Sequence, residues 1–301
     1  MSNNGAGKWT YGEGFVNAGD GTPLFYREWS PTGAEIRSAV LFVHGIGLHG
    51  GAPPYGEKIV SPDLLGHGTA FYAIDLRGHG KSGGSVDGIT GDILVDDLAR
   101  QIARLREEHP RVPVYLYGHN FGGLLALRYA AAHGQDVRGV VVSEYSRLIR
   151  NNARQIVEPG RTATFLDRLI GRFRKSRSFK FLTPAEYRDL CDRYHVPVDG
   201  EILASLELSG SQESEKTYGK AFFAACGAGD EARIARNVRA PVLVIFGRND
   251  AFFDVRGAYD VLMRLHSLDK MLIQVDVAGH YGIIQSSQDQ VGQWIKARLP
   301  S

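Results

Sequence analysis

The chain has 301 residues, of which 43% are hydrophobic and 23% are charged, a composition that is ordinary for a globular protein. Its formal charge of +2 argues against a general attraction to nucleic acid or to membranes. No apolar run approaches the roughly 18 residues of a transmembrane helix, and the polar start lacks the apolar segment of a secretory signal. We therefore expect a cytoplasmic protein.

Short apolar runs alternate with longer segments of helical spacing along most of the chain. The run at 39–43 is apolar throughout, which is typical of a strand buried on both faces. Such alternation predicts an α/β fold, a mostly parallel sheet with helices on both faces. In chain order we predict strands 24–29, 39–43 and 70–74, helix 92–108, strand 114–117, helix 122–133, strands 137–142 and 242–246, helix 256–268, strand 271–275 and helix 288–299.

The alternation stops between residue 145 and about residue 229, where we find no buried strand pattern. We therefore predict a core formed by 1–145 and 228–301, with a helical cap inserted at 146–227. Between 147 and 180 the sequence has ten lysines or arginines against two carboxylates, a local excess of eight positive charges. A solvated helical face is one explanation, and a weak contact with a membrane interface through this basic cap is the other. The block has no aromatic platform or motif of nucleic-acid binding, and we expect no such partner.

A strand, a corner flanked by glycines and a helix meet at Asn120. This is the layout of a nucleophile elbow, G-x-S-x-G, in which a tight turn raises one side chain above the sheet. We expect glycine at 118 and 122 because a Cβ there would collide with neighbouring backbone. Asn120 stands where the nucleophile belongs, and a carboxamide is a very poor nucleophile. Asparagine tolerates a positive φ, so the corner should keep its shape.

Five motifs in order resemble those of the α/β-hydrolases, and in particular of the monoacylglycerol lipase and lysophospholipase branch. Residues 43–51 are similar to the oxyanion loop, and 75–83 resemble the D-x-R-G-H-G-x-S-x-G turn. Residues 118–123 resemble G-H-S-x-G-G except at the nucleophile. The segment 246–250 looks like the strand end that carries the acid, and 278–280 looks like the loop that carries the histidine.

The resemblance implies a role for each site residue. His280 would act as general base and then general acid, and Asp250 would orient its ring. The backbone N–H groups of Ile46 and Phe121 would form the oxyanion hole around a group held at Asn120. The implied activity is hydrolysis of a carboxylic ester, with a small-molecule substrate that carries an apolar acyl group.

Asn120 leaves three interpretations open. It is an engineered knockout of a serine enzyme, or a natural residue in a non-hydrolytic lyase, isomerase or cyclase that moves protons with His280, or a natural residue in a ligand-binding pseudoenzyme. An aspartate parent is disfavoured because Ile46-Gly47 stands where such families usually have a proline soon after the H-G pair.

Further polar residues flank the predicted site and are candidates for substrate binding. They are His44, His119, Glu144 and Tyr145. Glu144 follows a strand, and strand ends line the ligand crevice of open α/β sheets.

Cofactor motifs are weak in this chain. Residues 45–50 fit the dinucleotide pattern G-x-G-x-x-G, but Pro53-Pro54 breaks the helix that must follow it. Residues 75–82 nearly match a phosphate-binding loop, but Asp75 replaces its first glycine. The cysteines show no metal spacing. We expect no cofactor and no metal, and the sequence carries no signal of oligomeric state.

Overall fold

The computed structural model of the chain describes residues 9–145, 230–250 and 254–299, together with short stretches between 178 and 219. Its strands are β1 (Trp9–Asn17), β2 (Pro23–Pro31), β3 (Ser38–Val43), β4 (Thr69–Ile74), β5 (Val114–His119), β6 (Gly139–Ser143), β7 (Ser178–Lys180), β8 (Thr217–Gly219), β9 (Val242–Gly247) and β10 (Lys270–Val275). Its helices are α1 (Pro62–Gly66), α2 (Gly91–Glu108), α3 (Phe121–His133), α4 (Pro184–Arg193), α5 (Glu231–Asn237), α6 (Val255–Arg264), α7 (Ile283–Ser286) and α8 (Gln288–Lys296).

Eight of these strands form one sheet in the order β1-β2-β4-β3-β5-β6-β9-β10. The two pairs β1–β2 and β2–β4 are antiparallel, and the other neighbours are parallel. The predicted mostly parallel sheet is confirmed. β1 was not predicted: it holds Gly12 and Gly14 and alternates between half-buried and exposed positions, which gives a weak strand pattern.

The central strands are buried on both faces, as predicted for the run at 39–43. Every residue of β3, β4, β5, β6 and β9 is buried. Apolar side chains point alternately to the two faces and join two separate cores, one on each side of the sheet. Helices α2, α3 and α5 supply residues to one core, and α1, α7 and α8 supply residues to the other. The helices therefore cover both faces.

The order in which the strands are added to the sheet reverses at β3. From β3 the chain crosses to β4 on one side, and the later strands β5, β6, β9 and β10 follow on the other side. Open parallel sheets bind ligands in the crevice outside the carboxyl ends of the strands at such a switch point. Residues 44, 120, 144, 250 and 280 all follow carboxyl ends of parallel strands of this sheet, so the topology gathers the predicted site at one edge.

The predicted helical cap at 146–227 lies mostly outside the described residues, and so does the basic block that suggested a membrane contact. Within the described part of this segment, α4 is helical and β7 pairs with β8 in antiparallel register. In the parts of the chain that the structure describes, no helix is both long and apolar enough to cross a membrane.

Candidate active site

The backbone makes a strained corner at Asn120, between the end of β5 and the start of α3. Asn120 has φ 53° and ψ −119°, a conformation that is uncommon for residues other than glycine. A Cβ on Gly118 would overlap the carbonyl group of Gly122, and a Cβ on Gly122 would overlap the carbonyl oxygen of Val43. The predicted need for both glycines is confirmed, and the elbow keeps its form with asparagine at its tip.

A chain of hydrogen bonds joins Asn120, His280 and Asp250. His280 Nδ1 lies 2.8 Å from Asp250 Oδ2, so this nitrogen carries a proton and donates a hydrogen bond to the carboxylate. His280 Nε2 is then the acceptor for Asn120 Nδ2, which lies 3.2 Å away. Asp250 is fully buried and the His280 side chain is 3% exposed, so the pair is shielded from solvent. The three residues that the sequence predicted as catalytic are therefore brought together in the predicted order.

The backbone N–H of Phe121, one of the two predicted oxyanion donors, already has a partner. It donates a hydrogen bond of 2.6 Å to Asn120 Oδ1. The carboxamide oxygen thus occupies the donor that would serve a substrate carbonyl. The second predicted donor belongs to Ile46, a half-buried residue in the turn after β3. Its neighbour Gly45 approaches the elbow so closely that a Cβ there would lie 3.2 Å from Asn120 Cβ.

His119 anchors the loop that carries His280. Its Nε2–H donates to the backbone carbonyl of His280 at 2.9 Å, and its Nδ1 accepts from the Tyr55 hydroxyl at 2.8 Å. The same hydroxyl accepts from the backbone N–H of Gly45 at 3.1 Å. Burial, together with the nearby His280, lowers the pKa of His119 to about 3, so the ring is neutral at physiological pH. Tyr55, which no sequence motif singled out, is the link between the oxyanion loop and His119.

His44, directly after β3, is likewise buried and bonded to neighbouring loops. Its Nδ1–H donates to the carbonyl of Gly45 at 2.7 Å, and its Nε2 accepts from the N–H of Leu76 at 3.0 Å. Burial holds the pKa of His44 well below its usual value. Both histidines predicted to bind substrate are thus buried, neutral and bonded to protein groups, and here they shape the loops around the site.

Glu144 and Tyr145, which follow β6, are both buried. Glu144 has φ 48°, is fully buried, and accepts a 2.6 Å hydrogen bond from the N–H of Gly247. Tyr145 is 8% exposed. Glu144, Asp250 and His280 each offer an atom within 4.8 Å of the others that could bind a metal ion. The His280–Asp250 hydrogen bond already uses two of these groups, and Glu144 accepts from Gly247.

Asp75 connects the loops that surround the site, a role that sequence reasoning missed. It forms a buried ion pair with Arg27 at 2.6 Å. Its two oxygens also accept from the backbone N–H groups of Gly50 and Lys81, each at 2.8 Å. Asp75 thereby ties the oxyanion loop to the 75–83 turn. The sequence did contain a signal for this role, because Asp75 is the first residue of the 75–83 motif that resembles the D-x-R-G-H-G-x-S-x-G turn.

The chain is similar in sequence to known proteins. The family model described as serine aminopeptidase, S33, matches residues 34–284. Human monoglyceride lipase is 36% identical over 129 residues, a match that covers 42% of this chain and 40% of that enzyme. Mouse monoglyceride lipase is 27% identical over 296 residues, which covers 94% of this chain and 90% of the mouse enzyme.

The fold is similar to that of a solved lipase. A soluble variant of monoglyceride lipase from Saccharomyces cerevisiae, solved in complex with a substrate analogue, superposes with a TM-score of 0.70. The alignment covers 96% of each chain at 19% identity, a level at which the likeness shows the fold alone. Because the family model spans well over half of the chain, this protein belongs to the serine aminopeptidase S33 family, and its fold is that of the α/β-hydrolases.

Proposed function

We propose that this site is the apparatus of a carboxylic-ester hydrolase and that Asn120 halts it before an acyl-enzyme can form. The observation that carries this proposal is the hydrogen-bonded series of Asn120, His280 and Asp250, with distances of 3.2 and 2.8 Å. Asn120 stands at the point of this series where a nucleophile would meet its general base. The names of the relatives suggest a small-molecule substrate with an apolar acyl group. The cytoplasmic location and the membrane contact stay predictions.

A hydroxyl at position 120 would complete the reaction cycle. His280 would take the hydroxyl proton as the oxygen attacked the ester carbon, and Asp250 would stabilise the imidazolium ion that forms. The N–H of Phe121 would bind the developing oxyanion, together with the N–H of Ile46. His280 would then protonate the departing alcohol and later activate water to release the acid.

Asn120 blocks this cycle in two ways. Its carboxamide has no ionisable proton and cannot form the acyl-enzyme. In addition, its Oδ1 accepts the Phe121 N–H at 2.6 Å, so a substrate carbonyl has to displace the side chain before it can use that donor. We therefore expect the chain as written to show no burst of acyl-enzyme.

The test compares the protein with its Asn120→Ser variant on chromogenic esters and monoacylglycerols. We expect only the serine variant to turn over, with a burst equal to the enzyme concentration. The double change Asn120→Ser with His280→Ala is the control and should abolish the burst. If neither the protein nor the serine variant hydrolyses any ester in the panel, the ester-hydrolase proposal is wrong.

A proton-transfer enzyme is the second candidate, because His280 and Asp250 remain paired and buried although the nucleophile is absent. In this reading, Asn120 orients a substrate through its amide and His280 moves a proton in a lyase, isomerase or cyclase reaction. Loss of such an activity in His280→Ala, with no esterase activity in either form, would favour it. Ligand binding that survives His280→Ala without turnover would favour a pseudoenzyme instead.

A further inference from the structure

The carboxamide of Asn120 lies in its own active site as an amide substrate would lie. Its oxygen accepts the Phe121 N–H at 2.6 Å, which is the contact that polarises a carbonyl for attack. Its nitrogen lies 3.2 Å from His280 Nε2, the atom that would give a proton to a leaving group. Asn120 Cγ is therefore held between an oxyanion donor and a proton carrier.

From this geometry we propose that Asn120 is itself a substrate of the site, and that water hydrolyses its carboxamide to leave an aspartate at position 120. The inference uses the roles proposed above for His280 and Phe121, but it does not depend on an ester being the external substrate. It assigns a self-modification to the elbow residue, and the product is a carboxylate, a group that can act as a nucleophile where a carboxamide cannot.

The reaction balances with water as the only co-reactant. Water replaces the Asn120 amide as the hydrogen-bond donor to His280 Nε2, gives this nitrogen a proton, and forms a bond from its oxygen to Cγ. The charge that develops on Oδ1 is held by the Phe121 N–H, and Asp250 stabilises the imidazolium. The Cγ–Nδ2 bond then breaks as Nε2 returns the proton to Nδ2. Ammonia leaves, and the carboxylic acid that remains ionises.

Water can reach the Asn120 carboxamide, while the pair formed by His280 and Asp250 is shielded from solvent, and both conditions favour this step. Asn120 is only half-buried, so water can reach its carboxamide from the crevice. The base behind it is dry, because His280 is 3% exposed and Asp250 is fully buried. A low-dielectric setting strengthens the interaction between Asp250 and the imidazolium that the step creates.

The usual spontaneous route of asparagine deamidation competes with this step, because the backbone nitrogen of Phe121 lies beside the carboxamide. In that route the backbone nitrogen of the next residue attacks Cγ and closes a cyclic imide, which reopens to a mixture of aspartate and isoaspartate. At this position the nitrogen belongs to Phe121, the first residue of α3, and its N–H is directed at Oδ1. Ring closure would have to break that hydrogen bond. Hydrolysis by water gives aspartate alone, so the products separate the two routes.

The experiment follows the peptide that contains residue 120 by mass spectrometry after incubation of the folded protein in heavy-oxygen water. We expect conversion to aspartate with one heavy oxygen in the new carboxylate and no isoaspartate. Asn237 is an internal control, because its amide donates to the Arg233 carbonyl in α5 and not to a histidine. It should stay asparagine over the same interval.

Two comparisons decide the outcome. His280→Gln should convert about a hundredfold more slowly, the usual scale of a general acid–base contribution. Urea-unfolded protein, which has no site, should convert no faster than that variant. If the protein is already aspartate when purified, His280→Gln should be purified with asparagine. The proposal is overturned if the folded protein keeps its asparagine or if isoaspartate appears among the products. It is also overturned if His280→Gln and the unfolded protein convert as fast as the folded protein does. Because the Asn120→Ser burst does not involve this step, the two proposals can fail separately.

Discussion

His119 Nε2 lies 2.9 Å from the backbone carbonyl oxygen of His280, which ties the residue directly before Asn120 to the loop that carries the proposed catalytic base. The neighbouring hydroxyl of Tyr55 completes the arrangement, because it donates to His119 Nδ1 and accepts from Gly45. Three loops are thus joined through one ring. This requires a neutral imidazole, since one nitrogen must donate while the other accepts.

The neutral ring of His119 predicts acid sensitivity. Its pKa is about 3 in the folded protein, mainly because of burial, against about 6.5 in an unfolded chain. Between these values the unfolded state binds a proton that the folded state does not, so the free energy of unfolding falls as the pH falls, by about 1.4 kcal/mol per pH unit for this group. His119→Gln should reduce the slope by this amount in urea titrations between pH 6 and pH 4.

Tyr55→Phe is the matched control for this prediction. It removes the hydroxyl that contacts His119 Nδ1 but leaves the buried ring in place. We expect it to lower the free energy of unfolding by roughly 1 to 3 kcal/mol, the effect of an unsatisfied buried group, while it keeps most of the pH slope. Equal slopes in the protein and in His119→Gln would contradict the assignment.

The elements that position the site were predictable because their patterns are local. The apolar runs of β3 and β5 and the glycines around Asn120 are visible in a few consecutive residues, and the structure confirms them. β1 was not predicted, because it depends on pairing with β2 and its own residues are half-buried or exposed and include two glycines. A strand that depends on its partner leaves little pattern in the sequence.

The site was only partly predictable for a similar reason. Asn120, Asp250 and His280 each lie in a short motif whose order along the chain is informative, and the structure brings them together. Tyr55 belongs to no motif, and its contacts to Gly45 and His119 depend on how two loops fold back. The capture of the Phe121 N–H by Asn120 depends on a side-chain rotamer, which residue spacing does not encode.

Asp250 and Glu144, the two carboxylates near His280, should differ sharply in their contribution to ester turnover. Asp250 accepts from His280 Nδ1 at 2.8 Å, whereas Glu144 accepts from the backbone N–H of Gly247. In the Asn120→Ser background, Asp250→Asn should lower kcat by about 1,000- to 10,000-fold, as when a triad loses the acid that fixes its tautomer. Glu144→Gln keeps a carbonyl oxygen for Gly247 and should cost less than about tenfold in ester turnover. Comparable losses would mean that the acid role is shared.

The elbow glycines should tolerate no added methyl group. A Cβ on Gly122 would overlap the Val43 carbonyl oxygen, which belongs to the fixed backbone of β3. Gly122→Ala should therefore lower the free energy of unfolding by about 1 to 3 kcal/mol or more. Gly66→Ala is the control, because it lies in α1 with nothing within 4 Å of the new methyl group and should be neutral or stabilising by up to about 1 kcal/mol. Equal melting temperatures for the two variants would contradict this account of the elbow.

Asp75 should contribute strongly to stability, although it is not one of the predicted catalytic residues. It is fully buried, pairs with Arg27 at 2.6 Å and accepts from the N–H groups of Gly50 and Lys81. Asp75→Asn keeps the shape but leaves the Arg27 charge buried without its partner, so we expect a loss of about 3 to 5 kcal/mol in the free energy of unfolding. Adding Arg27→Met removes the stranded charge and should recover part of that loss. Urea unfolding of the two single variants and the double variant measures the coupling. If the two losses simply add, the ion pair does not hold these loops together, and the hydrogen bonds from Gly50 and Lys81 are sufficient without it.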